Sequence, residues 1–373
     1  MKVIFAGGAT GGHLYPALAI AKKLKEKYPD MEALFVTSRW VYSREVIESN
    51  GYEVRNIDVA GIDRRHLLNN LTIFKDLAVS SRQIKDILEE FQPDIVIGTG
   101  GNVSGSVIRI AHKKGIPTFL HEQNVLPGLS NKLTEKYVDK IFVAFEASKA
   151  HFKKEKKIIV TGNPVREEFL ADDFTEYRKK LIDDSVDLVL LFFGGSQGAD
   201  KINDVASEYM ISVKDRQDIE IFFLTGKDMY KEVLDNLSDT GVLENKRFHV
   251  LEYAGNIHEL YAASDIIVSR AGALSISEFT VMGKAPILIP SPNVSGNHQL
   301  YNAKTMTDKG AAVLIEEKDL NLSTLKEEID NLWNNKEAFR KMSDAAKDLG
   351  CADAADKIVE EIEKMINAEK KEM

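Results

Sequence analysis

The apolar positions of this chain fall in short runs separated by longer stretches of helical periodicity. Strand-like runs occupy 3–5, 33–37, 95–97, 118–120 and 140–143, then 188–193, 219–224, 249–251, 266–268 and 286–289. Helical patterns fill 16–28, 43–50, 77–91, 104–114, 203–209 and 275–282. Unbroken apolar runs, in place of period-two alternation, mark strands covered on both faces. Their regular alternation with helices predicts an α/β fold of parallel sheets joined by right-handed crossovers.

The series breaks at Thr161-Gly162-Asn163-Pro164-Val165-Arg166, where Gly, Asn and Pro punctuate together. The order of strand, glycine turn and helix then restarts at residue 188. A domain takes roughly 100–200 residues, so 373 residues predict two domains. The first is 1–161, the linker 162–166, and the second 167–345. From Ile358 the tail has an amphipathic helical pattern.

Four apolar runs lead straight into turns of small residues: Gly7-Gly8-Ala9-Thr10-Gly11-Gly12-His13, Gly98-Thr99-Gly100-Gly101-Asn102, Gly194-Gly195-Ser196-Gln197-Gly198 and Ser269-Arg270-Ala271-Gly272-Ala273. Such turns let backbone N–H groups approach an anion at a helix N-terminus. They lie where open α/β sheets take ligands, two in each half of the chain. None has the G-x-G-x-x-G spacing of a dinucleotide site. One such turn alone serves equally as a tight bend; four suggest two sheets facing across a ligand.

Composition narrows the class. The net charge is −9, which disfavours a general nucleic-acid partner. A single cysteine, Cys351, excludes an internal disulfide. No apolar stretch reaches the roughly 18 residues of a membrane span, so membrane contact is expected to be peripheral.

Several polar groups sit at strand ends, each with a bland reading beside the chemical one. His13 has an imidazole suited to take a proton from an alcohol, or it is only a helix-entry residue. His121-Glu122-Gln123-Asn124 follows a strand and is poorly placed for a core. Adjacent residues of an extended chain point to opposite sides, which argues against a metal on His121 and Glu122. Glu278 follows the 270–275 turn by about one helical turn; it either accepts from vicinal sugar hydroxyls or complements the helix dipole. Segment 291–303 carries His298, Gln299 and Asn302, neutral groups suited to sugar hydroxyls, or it is a solvated loop.

Taken together, GGATGGHLYPALAIA, GTGGNVSG, HEQNVLPGLSNK, TGNPVR, GGSQGAD, SRAGALSISE and HQLYNA resemble, in order, the motifs of a bacterial cell-wall glycosyltransferase family. That family moves N-acetylglucosamine from UDP-GlcNAc onto undecaprenyl-pyrophosphoryl-N-acetylmuramoyl-pentapeptide (lipid I), making lipid II. The resemblance spans residues 7–303. It implies the GT-B fold, two Rossmann-like doubly wound domains facing across a cleft, with 346–373 packing back on the first. It also implies that Thr10, Gly11, Gly12 and His13 lie near the acceptor pyrophosphate and donor sugar. Asn124 would touch that sugar, and Arg166 would sit at the hinge. Ser196 would meet the UDP phosphates, and Ala254 to Ile257 the uracil. Ala273, Leu274 and Ser275 would surround the diphosphate, Glu278 the ribose, and His298 and Gln299 the GlcNAc. Family members often carry Gln where His298 stands and Thr where Ser275 stands.

Inverting transfer needs a base for the acceptor hydroxyl and a stabiliser for departing UDP. His13 is the first candidate base and Glu122 the second. No Asp-x-Asp stands near the donor motifs, so helix N-termini, with no metal or cofactor, are expected to stabilise the leaving group. An acceptor of this kind would bring the protein to the cytoplasmic face of the plasma membrane. Segment 62–91 mixes Leu67, Leu68, Leu71, Ile73, Phe74 and Leu77 with Arg64, Arg65, Lys75 and Arg82, fitting either anionic headgroups or a core-facing helix. The competing functions are a GT-B enzyme glycosylating a diacylglycerol-type lipid, a nucleotide-dependent dehydrogenase or epimerase, and a non-catalytic UDP-sugar binder.

Overall fold

A computed structural model describes residues 1–372 except 8–9, 39–40, 59–72 and 172; the side chains of 41–42, 73–77 and 369–372 are also outside the description. Most of the candidate lipid-facing residues in 62–91 therefore lie outside it. The chain divides into two compact units, Met1–Arg166 with Cys351–Met373, and Glu167–Gly350.

The first unit is built on β1 (Lys2–Ala6), β2 (Glu32–Thr37), β3 (Glu53–Asn56), β4 (Ile95–Gly98), β5 (Thr118–Glu122), β6 (Lys140–Val143) and β7 (Ile158–Val160). All are parallel, in the order β3-β2-β1-β4-β5-β6-β7. The chain steps outward from β1 to β3, crosses back, and steps outward the other way from β4. That reversal opens a crevice at the carboxyl ends of β1 and β4, the usual ligand position in doubly wound sheets. Helices α1 (Gly11–Lys27), α2 (Val41–Ser49), α3 (Ile73–Phe91), α4 (Gly101–Lys113) and α5 (Leu129–Thr134) complete the layers.

Along β1 the side chains alternate between two cores. Val3 and Phe5 pack with Leu14, Ile20 and Leu24 of α1, while Ile4 and Ala6 pack with Val103, Val107 and Ile108 of α4. The terminal helix (Ala354–Glu372) joins the first of these through Ile358, Val359 and Ile362. Its ion pairs with Lys23 and Lys27 are partly exposed. Pairs of that kind contribute about 0–1 kcal/mol, against about 1.5–3 kcal/mol for each buried aliphatic side chain. The apolar stripe holds this helix in place.

The second unit repeats the plan with β8 (Leu188–Phe193), β9 (Ile219–Leu224), β10 (Phe248–Leu251), β11 (Ile266–Ser269), β12 (Ile287–Leu288) and β13 (Val313–Leu314). Their order is β10-β9-β8-β11-β12-β13, again all parallel, so the crevice lies between β8 and β11. Its helices are α6 (Thr175–Leu181), α7 (Asp200–Ser212), α8 (Tyr230–Leu237), α9 (Ile257–Ala263), α10 (Ala273–Met282), α11 (His298–Thr307), α12 (Leu322–Asn334) and α13 (Lys336–Asp348).

Two departures from the sequence pattern have one origin each. Strands β3, β7 and β13, absent from the pattern, are three of the four sheet edges; they are short, and β3 buries only Val54 fully. Helix α1 starts at Gly11 although the pattern opened at Pro16, and α4 starts at Gly101 although it opened at Ser104. A proline at the first helical position is the common case, but Pro16 stands inside α1. The first turns are glycine and small polar residues, which carry no apolar period.

Candidate active site

In each unit the two glycine-rich turns flank the reversal point of the sheet. In the first unit Gly7 and Thr10 bound the one after β1, and Thr99 and Gly100 form the one after β4. Thr10 is the N-cap of α1, and its carbonyl accepts from the His13 and Leu14 amides. Gly11 and Gly12 form the first turn, with Gly12 exposed. His13, on that same turn, rests against Gly100. A Cβ on Gly100 would stand 2.8 Å from His13 Cε1 and 2.9 Å from Nδ1, and its φ of +115° already requires glycine.

His13 Nδ1 lies 3.0 Å from Gln123 Oε1. Gln123 Nε2 donates to the Thr99 carbonyl at 2.9 Å and lies 2.9 Å from His121 Nδ1. His121 Nε2 in turn lies 3.2 Å from the Gly162 carbonyl. Burial pushes the His121 pKa down to about 4, so its ring is neutral near pH 7. His121 in β5 and Gln123 just after it share one side, as alternation of extended chain requires, and Glu122 takes the other.

Glu122 is 1% exposed. Its Oε1 accepts from the Asn124 backbone N–H at 2.9 Å and the Asn124 side-chain amide at 3.2 Å. Its Oε2 accepts from the Gly128 amide at 3.1 Å and from Asn131 Nδ2 at 2.7 Å. Both oxygens are thus engaged in holding the loop from β5 to α5. Asn124 is one of the groups held, and Ser148 Oγ donates to its carbonyl at 3.1 Å. The Arg166 guanidinium sits 4.7 Å above the Tyr15 ring of α1.

In the second unit the turns are 194–199 after β8 and 270–272 after β11, side by side because Ser269 pairs with Phe193. Ser196 is exposed on the first turn. That turn is pressed onto the end of β9: a Cβ on Gly198 would stand 2.1 Å from the Thr225 carbonyl. Ala273, Leu274 and Ser275 form the first turn of α10, behind its N-cap Gly272. Arg270 is held by the Ile289 carbonyl and by an ion pair with Glu317. Ala254 is buried in the turn after β10, and Ile257 opens α9.

Glu278 is 5% exposed, with the Tyr261 hydroxyl 3.4 Å from its Oε2. Gln299 Oε1 accepts from the Ser291 amide at 2.9 Å, which leaves the side-chain NH2 as donor. His298 Nδ1 lies 3.0 Å from the Ser295 carbonyl. Asn302 differs from the sugar-binding expectation. It is fully buried, and its amide donates to the Ala271 carbonyl at 3.3 Å, tying α11 to the 270–272 turn. Among the described residues, no group of three or more His, Cys, Asp and Glu side chains is arranged to hold a metal ion.

Comparison with known proteins follows the two units. The glycosyltransferase family 28 N-terminal domain matches residues 3–143, and the family 28 C-terminal domain matches residues 189–358. The chain belongs to glycosyltransferase family 28. Within that family it is 41% identical, over 96% of its length and 98% of the relative's, to a Thermoanaerobacter protein. That protein is named UDP-N-acetylglucosamine--N-acetylmuramyl-(pentapeptide) pyrophosphoryl-undecaprenol N-acetylglucosamine transferase. A Clostridioides difficile protein of the same name is 38% identical, with 100% of this chain and 90% of that one covered. The MurG crystal structure from Acinetobacter baumannii superposes with a TM-score of 0.75 at 23% identity, covering 97% and 99% of the two chains. A UDP-GlcNAc 2-epimerase from Neisseria meningitidis, bound to UDP-GlcNAc, gives 0.68 at 17% identity, covering 98% and 100%. The fold, a GT-B pair of doubly wound units, is therefore shared between transferases and epimerases.

Proposed function

We propose that this chain is an inverting glycosyltransferase that moves GlcNAc from UDP-GlcNAc to the 4-hydroxyl of lipid I, forming lipid II. The observation that carries this reading is the 38–41% identity, over nearly the whole chain, to relatives bearing that name. In the step proposed, the acceptor oxygen attacks the anomeric carbon, the bond to UDP breaks, and UDP leaves with the electron pair. The hydroxyl proton goes to His13, whose ring stands at the β1/β4 crevice beside Gly100. Glu122, the second candidate, is better suited to holding the loop, since both its oxygens are engaged.

On the second unit, Ser196 and the α10 turn of Ala273, Leu274 and Ser275 bind the diphosphate, and helix N-termini stabilise its charge. The turn from Ala254 to Ile257 holds uracil, Glu278 the ribose, and Gln299 with His298 the sugar. On the first unit, Thr10, Gly11 and Gly12 take the acceptor pyrophosphate, and Asn124 and Arg166 complete the sugar contacts. Segment 162–166 serves as the linker between the two binding functions.

The lipid acceptor implies peripheral association with the cytoplasmic face of the plasma membrane. Supporting this, Leu129 and Leu133 of α5 are 55% and 64% exposed. Nearby, Arg109 and Lys136 lie over the Tyr137 ring. Among the described residues no helix is long and apolar enough to cross a membrane.

Labelled GlcNAc supplied as UDP-GlcNAc to the purified protein, with a lipid I analogue or a diacylglycerol as acceptor, tests the reading. Label is expected in the lipid I product alone. Label in the diacylglycerol alone, or epimerised UDP-sugar without transfer, overturns it.

A further inference from the structure

The hydrogen-bond chain behind His13 has a direction. The Thr99 and Gly162 carbonyls stand at its ends, the His121 carbonyl lies 3.3 Å from the Gln123 amide, and a carbonyl can only accept. At one end, the Thr99 carbonyl lies 2.9 Å from a Gln123 side-chain atom, which must therefore be the amide nitrogen. At the other, the Gly162 carbonyl lies 3.2 Å from His121 Nε2, which must carry a proton. Neutral His121 then has a bare Nδ1, and that atom accepts the second Gln123 N–H at 2.9 Å. The opposite amide orientation would set oxygen against the Thr99 carbonyl and leave His121 Nδ1 without its donor. With nitrogen so committed, Gln123 Oε1 faces His13 Nδ1 at 3.0 Å and can only accept from it.

We infer that Gln123, oriented by Thr99 and His121, is a positioning residue that fixes His13 as the Nδ1–H tautomer and leaves Nε2 unprotonated for the substrate. The inference rests on the reading of His13 as base only for its catalytic consequence; the tautomer itself follows from the hydrogen bonds. The Cε1–Nδ1 edge of the ring is packed against Gly100, so the bond to Gln123 and that packing together set the ring plane. The same logic underlies other catalytic histidines, where the partner at one ring nitrogen decides what the other can do. Gln123 is 2% exposed, in keeping with a role exerted through His13.

Nitrogen-15 spectra of the full-length protein with ring-labelled histidine, taken above the ring's titration, read the tautomer directly. The His13 signals are identified by their loss in His13→Asn. The expected result is a protonated, pyrrole-type Nδ1 and a bare, pyridine-type Nε2. Gln123→Leu removes the acceptor and should lose this signature. It should also lower kcat by about 10–100-fold, the cost seen when the partner of a metal-ligating histidine is removed, with the KM for UDP-GlcNAc unchanged. Gln123→Glu keeps an oxygen for Nδ1–H and should restore the signature. A wild-type His13 protonated at Nε2 overturns the inference, and this observation needs no variant to fold. If the signature holds but His13→Ala turns over normally, the base assignment fails and the tautomer assignment stands.

Discussion

His13 is the side chain to which the first unit's turns are fitted, and the absence of a side chain at Gly100 is part of that fit. A methyl group on Gly100 would stand 2.8 Å from the imidazole, on a backbone at φ +115°. Gly100→Ala should therefore displace the ring and reduce turnover by about 100-fold, the cost of roughly 1 Å of misplacement at a reacting group. Donor affinity by calorimetry should stay unchanged, because the proposed donor contacts lie on the second unit. On that unit Glu278→Ala should weaken UDP-GlcNAc binding by about 1.5–3 kcal/mol, the range for hydrogen bonds to a charged group. Unchanged affinity in a folded variant removes the ribose role. At this scale the sequence singled out His13 and Glu278 as candidates, while Gln123 and Gly100 stood within their motifs with no role of their own. Glutamine carries no chemical signature of its own. The signal available for it was the alternation of extended chain, which sets His121 of β5 and Gln123 just beyond it on one side.

Among the elements, β5 and the loop after it concentrate the polar burial of the first unit. Glu122 accepts four hydrogen bonds there. Each bond to a charged group contributes about 1.5–3 kcal/mol, so Glu122→Ala should cost several kcal/mol in denaturant unfolding. A base role instead predicts lost turnover with stability retained. His121, on the same strand, makes stability depend on pH. Its folded pKa of about 4 lies below the ordinary imidazole value of 6.5, so unfolded chains take up the proton first as pH falls. Its contribution is complete above 6.5 and declines toward pH 4, by roughly 3 kcal/mol in all. Acid-induced loss of stability should be shallower in His121→Leu, and parallel curves contradict the assignment. Central strands were legible because burial on both faces makes an unbroken apolar run. The edge strands β3, β7 and β13, short and paired on one side, were not, whereas the edge strand β10 was. The first turns of α1 and α4 were hidden for a related reason: residues that leave backbone open to a ligand have no apolar period.

Across the whole molecule, the same doubly wound plan occurs twice in one chain, each copy with its turns at the point of sheet reversal. In the function proposed, one copy takes the nucleotide sugar and the other the acceptor. If the acceptor is a membrane lipid, the exposed leucines of α5 should enter the interface, each worth about 1.5–3 kcal/mol when buried. Leu129→Glu combined with Leu133→Glu should then reduce sedimentation with anionic vesicles by at least about tenfold. Equal sedimentation excludes α5 as the contact. The claim on which the account turns is that the first unit supplies the base. Its most direct test is the kcat of His13→Ala with a lipid I analogue, measured beside the calorimetric affinity for UDP-GlcNAc on the same preparation. General-base catalysis contributes about 10²–10⁴-fold, so kcat should fall within that range while donor affinity holds. Wild-type turnover by His13→Ala would contradict it.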